Sequence, residues 1–152
     1  NKMKRDKNII PLSQDHHFGL LSGWKIKQGI KKNISYERIK NYINYHWDNS
    51  QSFHFDEEEK ILFPYSDDEL TQRALDEHKE IRELLKTLNE VEDFELLTLY
   101  ADKVTEHIRF EERVLFPHLE NILTEEQLAE VGKRLNEIHH HAEDEYHDEF
   151  WK

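Results

Sequence analysis

Apolar residues recur every three or four positions along most of the chain, which is the spacing of a helix with one buried face. The clearest stripe runs through Leu70, Ala74, His78, Ile81, Leu85 and Leu88. Helix starts are indicated by Ser35 and by capping-box forms that begin at Ser66 and Thr124. The pattern predicts an all-α fold of five helices, at about 12–31, 36–64, 67–90, 94–118 and 125–147.

The first four predicted helices carry titratable residues within their apolar stripes. The first stripe consists of Leu12, His16, Leu20 and Gly23. The next three include His54 with Glu58, then His78, then His107 with Glu111. A single histidine in such a stripe is more often a hydrogen-bonded core residue than a metal ligand. Position in the stripe alone therefore assigns no chemistry.

An internal repeat changes that interpretation. Residues 54–64 match residues 107–117 at six of eleven positions, sharing His-x-x-x-Glu, a following Glu, and Leu-Phe-Pro. Side chains four residues apart lie on one face of a helix, so each repeat offers an imidazole and a carboxylate to the same place. An acid–His pair precedes each repeat, Asp15-His16 and Glu77-His78. Two such helix pairs packed antiparallel predict an up-down-up-down four-helix bundle with a pseudo-twofold axis.

The interior of this bundle would contain four histidines and two glutamates. Burying these groups without cations would cost several kcal/mol for each charge, which favours metal binding over a plain core. Imidazole and carboxylate donors without thiolate suit iron, manganese or zinc, and two twofold-related carboxylates can bridge two ions. The predicted metal ligands are His16, His54, Glu58, His78, His107 and Glu111.

Composition limits the other possibilities. The 152 residues predict one domain spanning 1–152, with a bundle at about 12–120. The 33 acidic against 21 basic residues give a net charge of −12, which argues against nucleic acid as a partner. The absence of cysteine excludes thiolate sites. No apolar run reaches membrane-spanning length, and the charged start is unlike a secretion signal, so we expect no membrane association and a cytoplasmic location.

The motifs resemble the hemerythrin-like, cation-binding (HHE) domain family over about residues 12–120. They are the opening Leu12-Ser13-Gln14-Asp15-His16, Glu77-His78, and the two His-x-x-x-Glu repeats with their Leu-Phe-Pro endings. The resemblance implies a non-haem di-iron centre inside the bundle. In such a centre Glu58 and Glu111 would bridge two iron ions, and four histidines would be terminal ligands. An oxo, hydroxo or water bridge would complete the pair, and the helix at 125–147 would be an addition to the bundle.

One departure from the family concerns Ala74. Oxygen-carrying hemerythrins have a further histidine one turn before the third-helix ligand, and Ala74 occupies that position. The departure argues against reversible O2 transport and leaves iron binding intact. Solvent, Glu77, His17 or a tyrosine would then complete the coordination.

The resulting functional hypothesis is a non-haem di-iron protein that binds, senses or scavenges O2 or a related small oxidant such as NO or peroxide. We expect a metal-binding protein rather than a dedicated enzyme, and we assign no catalytic residue. The alternatives are a di-iron oxidase or peroxidase, and an iron storage or donor protein that acts through an unidentified protein partner.

The remaining histidines are given lesser roles. His17 is an alternative to His16 as the first-helix ligand, and His46 is expected in the core or at the rim of the site. A last group is expected in a solvated acidic tail without function, namely His139, His140, His141 and His147.

Overall fold

A computed structural model describes residues 4–152, and the regular elements in that range are helical. The first bundle helix is α1 (Ile10–Lys31). The second, residues 36–65, joins α2 (Tyr36–His46), a π-helical segment (Trp47–Gln51), α3 (Ser52–Glu57), a second π-helical segment (Glu58–Leu62) and a 3-10 turn (Phe63–Tyr65). The third is α4 (Glu69–Glu90). The fourth, residues 94–122, joins α5 (Phe94–Phe110), a π-helical segment (Glu111–Leu115) and α6 (Phe116–Ile122). The chain continues into α7 (Glu125–Ile138).

The bundle forms because α5 packs along both α1 and α4, while α2 packs on α1 and α7 packs on the second π-helical segment. The predicted all-α bundle with an additional C-terminal helix is confirmed. Two apolar clusters fill its interior, one around Phe55 and Ile108 and the other around Phe63 and Phe116. His78 contacts both, because its ring packs on Phe55 and Phe63. The polar site therefore lies between the two apolar clusters.

Four side chains cap helices near the predicted starts, and one of them is Asp93, which accepts a hydrogen bond from the Glu95 N–H at the start of α5. Ser35 accepts a hydrogen bond from the Arg38 N–H, and Thr124 forms a reciprocal capping box with Gln127. The cap of α4 is Asp68 rather than Ser66, because the Asp68 carboxylate accepts a hydrogen bond from the Thr71 N–H, in the first turn of the helix.

Both repeats widen into a π-helical segment at the same place. The segments begin at Glu58 and Glu111, and the proline of Leu-Phe-Pro stands six residues after each of these glutamates. Proline has no N–H to donate, and its ring clashes with the carbonyl four residues earlier. A wider turn relieves that crowding, and π-helical turns are frequent at functional sites. The repeat thus carries its own backbone irregularity at each buried glutamate.

The first helix buries a face that differs from the predicted stripe. Leu20 is 40% exposed, so its assignment to the stripe was wrong. Gly23 is buried as predicted, Gly19 is buried in place of Leu20, and a Cβ on Gly19 would lie 2.5 Å from Ile108 Cδ1. Helix α5 approaches α1 closely at these glycines, so the buried face is determined by small residues as much as by large apolar ones.

The predicted C-terminal helix at 125–147 is also corrected, because α7 ends at Ile138. Residues 139–152, here called the C-terminal strap, run across the second bundle helix. Phe150 and Trp151 at its end are buried in the core. The expectation of a solvated tail was therefore wrong for the end of the strap and for His139 and His140, which are half-buried, whereas His141 and His147 are exposed as expected.

Buried polar contacts secure the strap along its length. Lys25 Nζ lies 2.6 Å from Asp144 Oδ2, and the Tyr42 hydroxyl donates to the same oxygen at 2.9 Å. The Ser50 hydroxyl donates to the Glu143 carbonyl at 2.9 Å. Among the helices of residues 4–152, none has the length and apolar character needed to cross a bilayer.

Candidate metal centre

The six predicted ligands come from the four bundle helices and meet in the interior. None is more than 4% exposed, and three are completely buried: Glu58, His78 and Glu111. His16 is buried whereas His17 is exposed, so His16 is the inward-facing residue of the two. The structure therefore brings the predicted set together, and the assignment of these residues as ligands remains a prediction.

The six residues form two groups that share both glutamates. One group contains His16 and His54, the other His78 and His107, each with Glu58 and Glu111. Within each group, one donor atom from every residue lies within 4.8 Å of the others. The two histidine pairs are matched, with ring centroids 4.9 Å and 4.8 Å apart.

Each glutamate directs one oxygen toward each histidine pair. Glu58 Oε2 lies 3.1 Å from His54 Nε2, and its Oε1 lies 3.0 Å from His78 Nε2. Glu111 Oε1 lies 2.8 Å from His16 Nε2, and its Oε2 lies 3.2 Å from His107 Nε2. Two carboxylates oriented in this way can span two cations.

Most of the converging atoms have no hydrogen-bond partner. The Nε2 atoms of three histidines, both oxygens of Glu58 and one oxygen of Glu111 are buried without one, although they lie close together. The histidines are His54, His78 and His107. Buried polar atoms are nearly always satisfied, and leaving them unpaired is costly. Coordination of cations would satisfy all of them, so the buried His/Glu cluster fits a metal site.

The electrostatics of the cluster also favour cations. Burial opposes charge on His107, but attraction by Glu111 outweighs burial and raises the pKa of His107 to about 10. For His54, burial is likewise outweighed by Glu58, and its pKa lies well above the usual value. Burial opposes charge on Glu111 too, but His107 and other imidazoles hold its pKa well below the usual range. The carboxylates thus attract positive charge, and protons and metal ions compete for the same imidazoles.

A second layer of carboxylates holds the outer nitrogens of the rings. Each Nδ1 lies within 2.9 Å of a carboxylate oxygen, in the pairs His16–Glu112, His54–Asp15, His78–Glu59 and His107–Glu77. In a neutral ring whose Nδ1 donates its proton outward, Nε2 faces the interior with a lone pair, which is the form that binds a metal ion. These partners follow the pseudo-twofold symmetry.

Sequence reasoning missed the roles of these four acids. The signal was present, because Glu59 and Glu112 are the second glutamates of the two repeats, and Asp15 and Glu77 are the acids of the two acid–His pairs. Each acid serves a histidine on a neighbouring helix. Their function depends on helix packing and not on local spacing.

The residues suggested to complete the coordination have other positions. Ala74 is fully buried beside the site and offers no donor. Glu77 is bound to His107 and Arg73, and His17 is exposed. The hydroxyl of Tyr42 donates to Asp144 in the strap.

The two histidine pairs differ in the packing around them. The Phe55 ring stacks on His78 with centroids 3.7 Å apart, whereas Ile108 occupies the equivalent position of the other repeat. Beside Ile108 lies a cavity of about 10 Å³, lined also by His16, His54 and His46. Burial lowers the pKa of His46 to about 4, so this ring is neutral at physiological pH. Its placement near the site agrees with the expected core or rim position.

The fold and site together define a helical-bundle protein with a buried histidine and glutamate cluster suited to cations. The family profile described as Hemerythrin HHE cation binding domain matches residues 19–119, and the chain belongs to this family. The match includes both His-x-x-x-Glu repeats but begins after His16. The search of curated proteins found no match, and neither did the search of solved structures.

Proposed function

We propose that the cluster holds two iron ions bridged by Glu58 and Glu111. His16 and His54 would bind one ion, and the other histidine pair would bind the second. The observation that supports this proposal most directly is the set of buried, unpaired Nε2 and carboxylate atoms. Membership of the cation-binding family and the nitrogen and oxygen donor set favour iron. Two histidines and two bridging carboxylates leave each ion with open positions.

We propose further that a small oxidant such as O2, NO or peroxide reaches the ion held by His16 and His54. The cavity of about 10 Å³ adjoins these two rings, while Phe55 covers His78 on the other side. A cavity of this size accommodates roughly one water molecule and excludes an organic substrate. The function supported best is therefore binding, sensing or scavenging of a small oxidant.

The chain's own residues would keep this chemistry under control. The surrounding apolar clusters exclude bulk water, and the outer carboxylates hold the Nδ1 protons of the ligand rings. When bound there, iron would supply electron transfer and a position for the oxidant. Because Ala74, one turn before His78, offers no donor atom, one coordination position would be left to solvent, and we expect oxidation of bound ferrous iron in preference to reversible O2 holding.

The test begins with removal of metal from the protein by a chelator. The metal-free protein is then reconstituted with Fe(II) under anaerobic conditions, and its iron content is measured by elemental analysis. We expect about two iron ions per chain, and folded protein without iron would contradict the proposal. Exposure to O2 is then followed optically. A signal that disappears under vacuum indicates reversible binding, whereas lasting oxidation with consumption of peroxide indicates scavenging or enzymatic turnover.

A further inference from the structure

Each of the four outer carboxylates is itself paired with a positively charged or chargeable side chain. Three of the partners are arginines, in the pairs Glu59–Arg82, Glu77–Arg73 and Glu112–Arg5. The fourth carboxylate, Asp15, is paired with His139 of the C-terminal strap. The half of the site served by Asp15 therefore depends on a part of the chain outside the four bundle helices.

The connection from the strap to the site runs through a single carboxylate. One Asp15 oxygen lies 2.9 Å from His54 Nδ1, and the other lies 3.4 Å from His139 Nε2. The Nδ1 of His139 is bound by Glu57. Both His139 and Asp15 have side chains less than 10% exposed, at 5% and 7%. Water screens such a buried connection much less than it screens a surface ion pair.

His139 carries positive charge in this environment. Although burial favours the neutral ring, hydrogen bonds with Asp15 and Glu57 raise its pKa to about 9. The charged His139 ring thus lies against one Asp15 oxygen while the other Asp15 oxygen lies against the His54 ring.

The pseudo-twofold counterpart is built differently. Glu77 is paired with Arg73, which lies one turn earlier on the same helix and has a side chain 56% exposed. That pair forms wherever α4 forms. The Asp15 pair forms only when the strap lies across the bundle. Glu143 of the strap is bound there to Ser50 of the second bundle helix, and Asp144 is bound to Lys25 of α1.

We propose that His139 is a positioning residue of the metal centre, which holds Asp15 against His54 and so tightens binding of the ion at His16 and His54. This inference rests on the proposed two-metal function. It makes the strap a determinant of one ion and not of the other. Loss of a group that directly holds a ligand ring, as Asp15 holds His54, typically weakens metal binding 10- to 100-fold, and loss of His139 would release Asp15 from this position.

The test is a titration of metal-free, full-length protein with Co²⁺. The visible absorption of Co²⁺ reports its coordination. In His139→Gln we expect one of the two Co²⁺ sites to weaken at least about 10-fold and the other to change less than about twofold. His139→Arg should restore much of the loss, because arginine serves the other three carboxylates. His140→Ala is the matched control, since the His140 ring belongs to the same strap but stacks on Phe53 and not against Asp15.

Proton NMR of the Co²⁺ protein gives a readout that a general loss of stability would not produce. The four ligand imidazoles should give four paramagnetically shifted Nδ1–H signals, and His139→Gln should move one of them. Asp15→Asn should move the same signal and provides a second test if the first variant folds poorly.

The possible failures are distinguishable. Wild-type protein that binds no Co²⁺ overturns both the metal centre and the role of His139. Wild-type protein with two Co²⁺ ions, beside a His139→Gln variant with unchanged affinities and unchanged signals, overturns the role of His139 alone.

Discussion

The bundle has two halves, one formed by α1 and residues 36–65 and the other by α4 and residues 94–122. The two halves agree closely at the site. Each supplies two histidines and one central glutamate, and each places carboxylates on the Nδ1 atoms. They diverge farther out. The first half has a third π-helical segment (Trp47–Gln51), the adjoining cavity and the strap.

This difference separates two requirements of the site. Coordination of two ions needs matched donors, and both halves retain them. Access of the oxidant and the affinity for metal can differ between the two ions, because the features that affect them lie outside the six donor residues. Ile108 in place of Phe55, and His139 in place of an arginine, are the changes that make the two ends unequal.

The largest expected effect tests the matched centre. Because both ions share the bridging carboxylates, Glu58→Ala and Glu111→Ala should each reduce bound iron from about two per chain to nearly none. Elemental analysis after reconstitution measures this. Glu106→Ala, on an exposed position beside His107, is the control and should keep both ions. A glutamate variant that retains two ions would contradict bridging by that residue.

The next test concerns the second layer. Glu59→Gln and Glu112→Gln each remove the charge that holds one ligand ring, so each should weaken one ion by about 10- to 100-fold. Competition with a coloured chelator gives the affinities. Equal losses of affinity would show that the pseudo-twofold symmetry includes the outer carboxylates. A large difference between the two variants would show that the symmetry is limited to the six donor residues.

A smaller effect is expected from pH on the stability of the metal-free protein. The pKa of His107 is about 10 in the folded state and near 6.5 when unfolded, so its stabilising contribution is complete below pH 6.5 and is lost as pH rises through 10. The loss is at most about 1.4 kcal/mol for each pH unit. Calorimetry between pH 6.5 and 10 should show a falling Tm. A Tm that rises over this range would contradict the charged state of the empty cluster.

The smallest effect is expected at Arg73. Its side chain is more than half exposed, so the ion pair with Glu77 is screened and contributes roughly 0.2–1 kcal/mol. Arg73→Ala should therefore weaken metal binding less than about fivefold. The same Co²⁺ titration used for His139→Gln measures it. An effect of Arg73→Ala as large as that of His139→Gln would remove the asymmetry between the two halves.

Much of the site could be predicted from local spacing. Histidine and glutamate four residues apart share a helical face, and the repeat showed that His54 with Glu58 and His107 with Glu111 belong together. His16 was preferred over His17 correctly as the inward residue, although Leu20, which supported that choice, is exposed. The mistaken stripe arose because Gly19 carries no apolar signal while it allows close helix packing.

The sequence by itself determined the helices, the two repeats and the six residues that meet in the core, because these follow from periodicity within single helices. Tertiary structure alone decided which acid holds which ring, where the cavity lies and what the C-terminal residues do. His139 and Asp15 are far apart in the chain, and no spacing rule relates them. Their contact exists because Phe150 and Trp151 gain burial against the bundle and the strap is thereby held across the second helix.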